Sequence, residues 1–163
     1  MKAEPQKEHA WLQKLVGEWT FEGECVMGPD QPPMKSTGVE SVRSLGGLWA
    51  ICEGRGEMPD GSGPSNSIMT LGYDPQKGCF VGSFVASMMT HLWIYERGTL
   101  DSAGKVLTLE AKGPSFSGDG NMVDYQDIIE WTSDDSRTLS SRMRGEDGSW
   151  TPFFMTARYR RKR

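Results

Sequence analysis

Four side chains able to exchange a proton stand on strand faces that are otherwise apolar, and they frame what this chain could do. Asp127 shares a face with Val123, Tyr125, Ile129 and Trp131; Glu53 and Arg55 share one with Trp49 and Ile51; His91 shares one with Trp93 and Tyr95. An unpaired charge in an apolar interior is expensive, so each must be paired, at a rim, or facing a wet cavity. Inside a cavity, Glu53, His91, Tyr95 and Asp127 would orient a bound molecule or move a proton on it. Two plainer arrangements stay open. Glu53 or Asp127 can pair with an arginine, and the opposite strand parity turns His91 to solvent with Leu92 and Ile94 inside.

No motif singles out a reaction. The sequence has no Gly-x-Ser-x-Gly elbow, no glycine-rich phosphate loop opening a helix, and no His-Glu-x-x-His. The carboxylate pair Asp134-Asp135 falls in a turn, where solvation explains it, so no catalytic residue is assigned. His9 and His91 are the only histidines, and neither stands at ligand spacing to a cysteine, so no metal site and no cofactor are expected. A single axial histidine can hold haem, and His91 is then the candidate.

The elements that must position these groups are mostly strands. In Trp19-Thr20-Phe21-Glu22-Gly23-Glu24, Trp19, Phe21 and Gly23 take one face and the polar residues the other, the pattern of a half-buried strand. The alternation recurs at Leu107-Leu109-Ala111, at Val123-Tyr125 with Ile129-Trp131, and at Phe153-Met155-Ala157-Tyr159. Eight clusters rich in Gly, Pro, Asn or Asp, from Gly28–Pro33 to Gly145–Gly148, and a further break near Ala86-Ser87 make nine turns, hence about ten strands. Before the first strand, Trp11, Leu12, Leu15 and Val16 line one side of a helix over about residues 7–16, ended by Gly17. Too short to be stable alone, it must dock its apolar side, and one end of a barrel is the natural place.

Composition narrows the class. With 163 residues, 36% hydrophobic and 25% charged, the chain suits one domain spanning residues 1–163 with a sizeable core. A net charge of -4 argues against a nucleic-acid partner, which would call for excess Lys and Arg. The basic run Arg158-Tyr159-Arg160-Arg161-Lys162-Arg163 reads as a solvated strand end. No apolar run is long enough to span a bilayer, and Met1-Lys2-Ala3-Glu4-Pro5 lacks the apolar core of a signal peptide, so no membrane partner is expected. Three cysteines without a pairing pattern fit a reducing, cytoplasmic setting.

Gly17-Glu18-Trp19 after a short helix resembles the Gly-x-Trp signature of the lipocalin and fatty-acid-binding (calycin) group. That resemblance implies that Trp19 closes one barrel end under an arginine of the last strand, Arg158 or Arg160. A longer set is similar to a family of small bacterial proteins known as a domain of unknown function with calycin-like barrels. It comprises His9-Trp11-Leu12-Leu15-Val16-Gly17-Glu18-Trp19, Leu45-Gly46-Gly47, Leu71-Gly72-Tyr73-Asp74-Pro75, Phe80–Met88, Gly98-Thr99-Leu100-Asp101 and Leu107-Thr108-Leu109. The chain departs from that family at Phe84 and Ala86, where members often carry Trp and an acidic residue.

The expected fold is therefore all-β: a closed up-and-down antiparallel barrel of about ten strands, with a short N-terminal helix closing one end. The first functional expectation is binding of a small, largely apolar molecule in the interior. Trp19, Phe21, Trp49, Phe84, Trp93, Tyr125 and Trp131 would form the wall, with Glu53, His91, Tyr95 and Asp127 as polar contacts. The second is a small-barrel enzyme using Glu53, Tyr95, His91 or Asp127 for proton transfer. The third is a filled barrel acting through its surface, as a homo-oligomer or partner module.

Overall fold

A computed structural model of the chain describes every residue except Met1, Lys2, Met27, Pro29 and Pro59. The parts of two predicted turns that fall on Pro29 and Pro59, and the first two residues of the N-terminal stretch, lie outside the described residues. Among the described residues one helix, α1 (Lys7–Gln13), precedes ten strands: β1 (Gly17–Cys25), β2 (Met34–Leu45), β3 (Trp49–Glu57), β4 (Pro64–Asp74), β5 (Cys79–Ala86), β6 (Trp93–Leu100), β7 (Val106–Pro114), β8 (Met122–Ser133), β9 (Ser136–Met143) and β10 (Met155–Arg161). Each strand pairs antiparallel with its sequence neighbours, and β10 pairs with β1, so the sheet closes into an up-and-down barrel. The calycin-like barrel expected from the sequence is the observed fold. Among the described residues no helix is long and apolar enough to cross a membrane.

The turns form by the chemistry their residues carry. Asp74 Oδ1 accepts the amide protons of Gln76 (3.0 Å) and Lys77 (3.4 Å). Asp101 Oδ1 does the same for Lys105 (2.8 Å) and Val106 (3.1 Å), reversing the chain between β6 and β7. The break near Ala86-Ser87 is real, since β5 ends at Ala86.

The helix is three residues shorter at its C-terminus than the spacing predicts, because the chain must bend there to enter β1. Gly17 makes that bend at φ +142°, a conformation that side-chain-bearing residues rarely adopt. Tertiary contacts hold α1 in place. His9 Nδ1 accepts the Gln6 amide proton (2.8 Å), which leaves Nε2 to donate to the Tyr73 carbonyl (3.1 Å). Trp11 Nε1 donates to the Gly104 carbonyl at 2.7 Å. Trp11, Leu12 and Leu15 are buried with Trp19, Leu71, Phe80, Leu107, Leu109 and Ile129, and the core sits at this end.

Candidate ligand-binding lumen and its polar floor

Strand register decides which residues face inward, because residues paired directly across neighbouring strands lie on the same face of the sheet. Fully buried Trp19 pairs with Glu40 on β2 and Arg161 on β10, Phe21 with Gly38 and Tyr159, and Glu40 in turn with Gly54 on β3. The interior face therefore carries Cys52 and Gly54, and Trp49, Ile51, Glu53 and Arg55 face out. The inward placement expected for Trp49 and Glu53 is corrected. Glu53 meets Arg43 at 3.5 Å on the outer surface, and Trp49, 38% exposed, lies over Gly72, where its ring leaves no room for a Cβ. The alternation in β3 was legible, but the face it assigned was off by one residue, which inverts every side chain.

The same parity corrects the arginine closure. Arg158 and Arg160 are exposed, and the arginine facing Trp19 from the last strand is Arg161, its Cζ 4.3 Å from the ring centroid. Its guanidinium also donates to the Val16 (3.0 Å) and Lys14 (2.9 Å) carbonyls just past the helix, groups left without helical partners. A second arginine, Arg137 on β9, stands 4.5 Å from the Trp19 ring and 4.1 Å from that of Tyr159. It pairs with Glu40 at 2.5 Å, both side chains at most 10% exposed. Glu40 and Arg137 were missed in the sequence. Their only signal is that they share parity with Val42 and Leu139, and a polar residue on an apolar face fits a rim equally well.

Halfway along the barrel is a second polar group. Asp127 on β8 lies opposite Leu109 on β7 and Ser141 on β9, and so points inward. Its Oδ1 accepts the Ser141 hydroxyl proton at 2.5 Å, and its Oδ2 accepts that of Tyr95 from β6. Burial pushes the Asp127 carboxyl above its ordinary range, and the two hydroxyls pull against that shift. Burial also pushes Tyr95 well up, and the neighbouring Asp127 charge adds to it. Cys52 is held high by burial and then by Glu40, which makes it an inert thiol. Ser141, Cys52 and Tyr159 were likewise absent from the sequence-derived set.

Beyond this floor the barrel changes character. The inward positions of β1 to β4 are small or slender: Gly23, Ser36, Gly38, Gly54, Gly56, Ser65 and Ser67. Across the lumen stand Phe84, Trp93 and Tyr125, with the Trp93 and Tyr125 rings edge-to-face at 4.8 Å. Most of these inward residues keep intermediate exposure, as do Phe21, Met34, Met143 and Met155. Asp127 does too, although it sits mid-strand, far from either rim. A side chain aimed at the centre of a closed barrel retains accessible surface only where empty space adjoins it. Trp131 lies at the other end, packed edge-on to Trp11 and tilted against Trp19, within the helix-capped core.

His91 takes neither parity expected for a strand residue, because it precedes β6. Its Nε2 lies 3.0 Å from the Lys112 carbonyl and its ring packs edge-on to Trp93. It lines an outer groove of about 420 Å³ with Leu92, Ile94, Ala111, Lys112 and Tyr125. A second groove, of about 340 Å³, runs beside Lys14, Gly104 and Trp131 near the helix. Among the described residues no three His, Cys, Asp or Glu side chains gather as metal ligands would.

No curated protein matches this chain. Solved structures match its fold over nearly their whole length. Rv2717c from M. tuberculosis has a TM-score of 0.64 at 18% identity, covering 98% of this chain and 100% of that one. The S-type phycobiliprotein lyase CPES from Guillardia theta has a TM-score of 0.62 at 11% identity, covering 98% and 99%. EF1p2_mFAP2b, solved bound to DFHBI, has a TM-score of 0.50 at 14% identity, covering 94% and 98%. At these identities the likeness shows the fold. The family model described as "Protein of unknown function (DUF1579)" matches residues 4–161, and with that span the chain belongs to this family of calycin-like barrels.

Proposed function

We propose that the protein binds a small, largely apolar molecule in the open half of its barrel. The reading is carried by Asp127, which points into the middle of the lumen yet keeps accessible surface beside it. Phe84, Trp93 and Tyr125 offer an aromatic wall, its Trp93 and Tyr125 rings edge-to-face, and Gly23, Ser36, Ser65 and Ser67 stand opposite, with Phe21 over Gly38 and Gly56. Asp127, fixed by Ser141 and Tyr95, has lone pairs left to accept a proton from a ligand N–H or O–H. The solved neighbour bound to DFHBI and the neighbour titled a phycobiliprotein lyase are barrels of the same build, which makes a lumenal ligand a reasonable expectation for this chain.

An enzymatic reading rests on Tyr95 and Asp127 alone, since Glu53 and His91 lie outside the lumen. Both carboxylate oxygens of Asp127 already accept hydroxyl protons, and Tyr95 is made less acidic by burial. Such a pair is built to hold a proton in place, which favours binding over proton transfer.

The test uses N-phenyl-1-naphthylamine, a neutral fluorescent probe with one N–H. It should bind the wild-type protein with a blue-shifted emission. Asp127→Asn should weaken it roughly tenfold, the equivalent of ~1.4 kcal/mol and in line with loss of one hydrogen bond to a charged acceptor. Ser67→Phe, which fills the lumen from the small-residue side, should abolish binding. Uptake unchanged by Ser67→Phe would place the probe elsewhere and sink the proposal.

A further inference from the structure

The barrel wall has one long break in its ladder, between β6 and β7. Only Arg97–Leu100 of β6 pairs with β7, against Leu107–Glu110. Trp93–Tyr95 of β6 and Ala111–Pro114 of β7 are paired only on their other sides, with β5 and β8. The cause is local. Between Phe80 and Gly82 of β5, the partner on β6 moves from Gly98 to Tyr95, so β6 carries one extra residue around Glu96-Arg97. A bulge of this kind bends its strand and ends pairing on the far side. Pairing with β7 stops at Arg97, the bulge itself.

The break opens toward the lumen. The outer groove of about 420 Å³ lies over it, with Leu92, Ile94 and Glu96 on one bank and Glu110, Lys112 and Asp124 on the other. Two of its lining residues, Ala111 and Tyr125, are inward-facing by register, each paired with the other across β7 and β8. They are reached from outside through the gap. On the lumen side of the groove stands Trp93, inward-facing by register and packed against His91, whose Nε2 lies 3.0 Å from the Lys112 carbonyl on the far bank. Its indole reaches from β6 across the gap onto Gly113 of β7, the residue whose missing Cβ makes room for it. His91 and Tyr125 flank the indole edge-on at 4.7 and 4.8 Å, and its Nε1 donates to Met89 Sδ at 3.1 Å. Met88 and Met89, unbranched side chains that adapt their shape, lie exposed on the turn before β6, and the apolar rim residues Leu92 and Ile94 are exposed too.

We propose that this gap is a lateral entrance to the lumen, closed by Trp93, through which an apolar ligand enters and leaves. It rests on the reading that the lumen holds a ligand. The three positive groups of the groove, Arg97, Lys112 and Arg144, balance the three negative ones, Glu96, Glu110 and Asp124, and Asp124 pairs with both Lys112 (2.9 Å) and Arg144 (3.8 Å). A rim without net charge and with exposed Leu92 and Ile94 suits passage of an uncharged, apolar molecule. Opening needs no ladder hydrogen bonds broken between β6 and β7 above Arg97; it needs release of the His91 contact with the Lys112 carbonyl, rotation of Trp93 and a shift of the methionine turn.

The experiment staples the gap after folding. Ile94→Cys and Lys112→Cys, on opposite banks, are introduced with Cys25→Ser and Cys79→Ser, leaving the buried and inert Cys52. They are joined with a bismaleimide carrying an internal disulfide, and the rates for N-phenyl-1-naphthylamine are measured by stopped-flow fluorescence. Stapling should slow association and dissociation alike by at least tenfold, with affinity within twofold, and reduction of the staple should restore both rates. Unchanged rates in stapled protein that still binds the probe overturn the entrance and leave the lumenal site standing. Absence of probe binding in the unstapled protein removes both readings.

Discussion

The two ends of this barrel are built from the same alternating strands and come out differently. At the helix end, Trp11, Leu12, Leu15 and Trp19 are at most 5% exposed and fill the interior. At the other end the inward positions of the same strands, Phe21, Gly23, Met34 and Met155, remain partly exposed. The difference is the presence of a plug. Alternation guarantees an apolar face, but a ten-stranded circumference is too wide for small side chains to fill, so whatever caps an end decides whether it becomes core or cavity. The polar groups divide likewise. Glu40 and Arg137 are spent on each other beneath Trp19, whereas Asp127 holds two neutral hydroxyls and keeps surface to spare.

The contrast can be broken first by stability. Trp19→Ala should cost about 3–5 kcal/mol by leaving a cavity that the docked helix cannot collapse, and Phe21→Ala less than half of that. Urea unfolding of both variants measures it; equal losses would mean that the far end is as much core as the near one. Next comes the buried ion pair. Arg137→Met should destabilise by about 3 kcal/mol or more, because Glu40 is left charged and alone, and adding Glu40→Leu should recover most of the loss. A double variant no better than the single one would show that the arginine acts mainly through Trp19 and Tyr159.

The third test is pH. A carboxyl whose folded pKa lies above its unfolded value binds more protons folded than unfolded. Its ionised form therefore weighs against the fold at neutral pH, and that penalty fades as pH falls toward about 4. The difference in stability between wild type and Asp127→Asn should accordingly move in favour of wild type between about pH 7 and about pH 4. A difference that stays flat, or moves the other way, would contradict the raised carboxyl pKa that the inward placement of Asp127 gives it. The smallest effect concerns the closure. Arg161→Ala should cost about 1 kcal/mol through the two carbonyls and the indole it leaves, against under about 0.5 for exposed Arg158→Ala.

Much of this was legible in the residues, and the exceptions have one origin. Trp19, Phe21, Phe84, Trp93, Tyr95, Tyr125, Asp127 and Trp131 face inward as their alternation suggests. Trp49 and Glu53 do not, because a period of two defines two faces without saying which is inside. Arg158 and Arg160 yielded to Arg161 for the same reason. His91 failed differently: it shares spacing with Trp93 and Tyr95 but lies ahead of the strand. Glu40, Arg137 and Ser141 gave no usable signal, since their partners are 97 residues away for the first two and 14 for Ser141 and Asp127.

By itself, the sequence determined the ten strands, the nine reversals and the helix, because turn chemistry and side-chain alternation act within a few residues. Only the closed sheet decided which face became the lumen, which arginine met Trp19, and where β6 parts from β7. Those outcomes depend on register between strands, and register is settled by the one arrangement that buries every apolar face together.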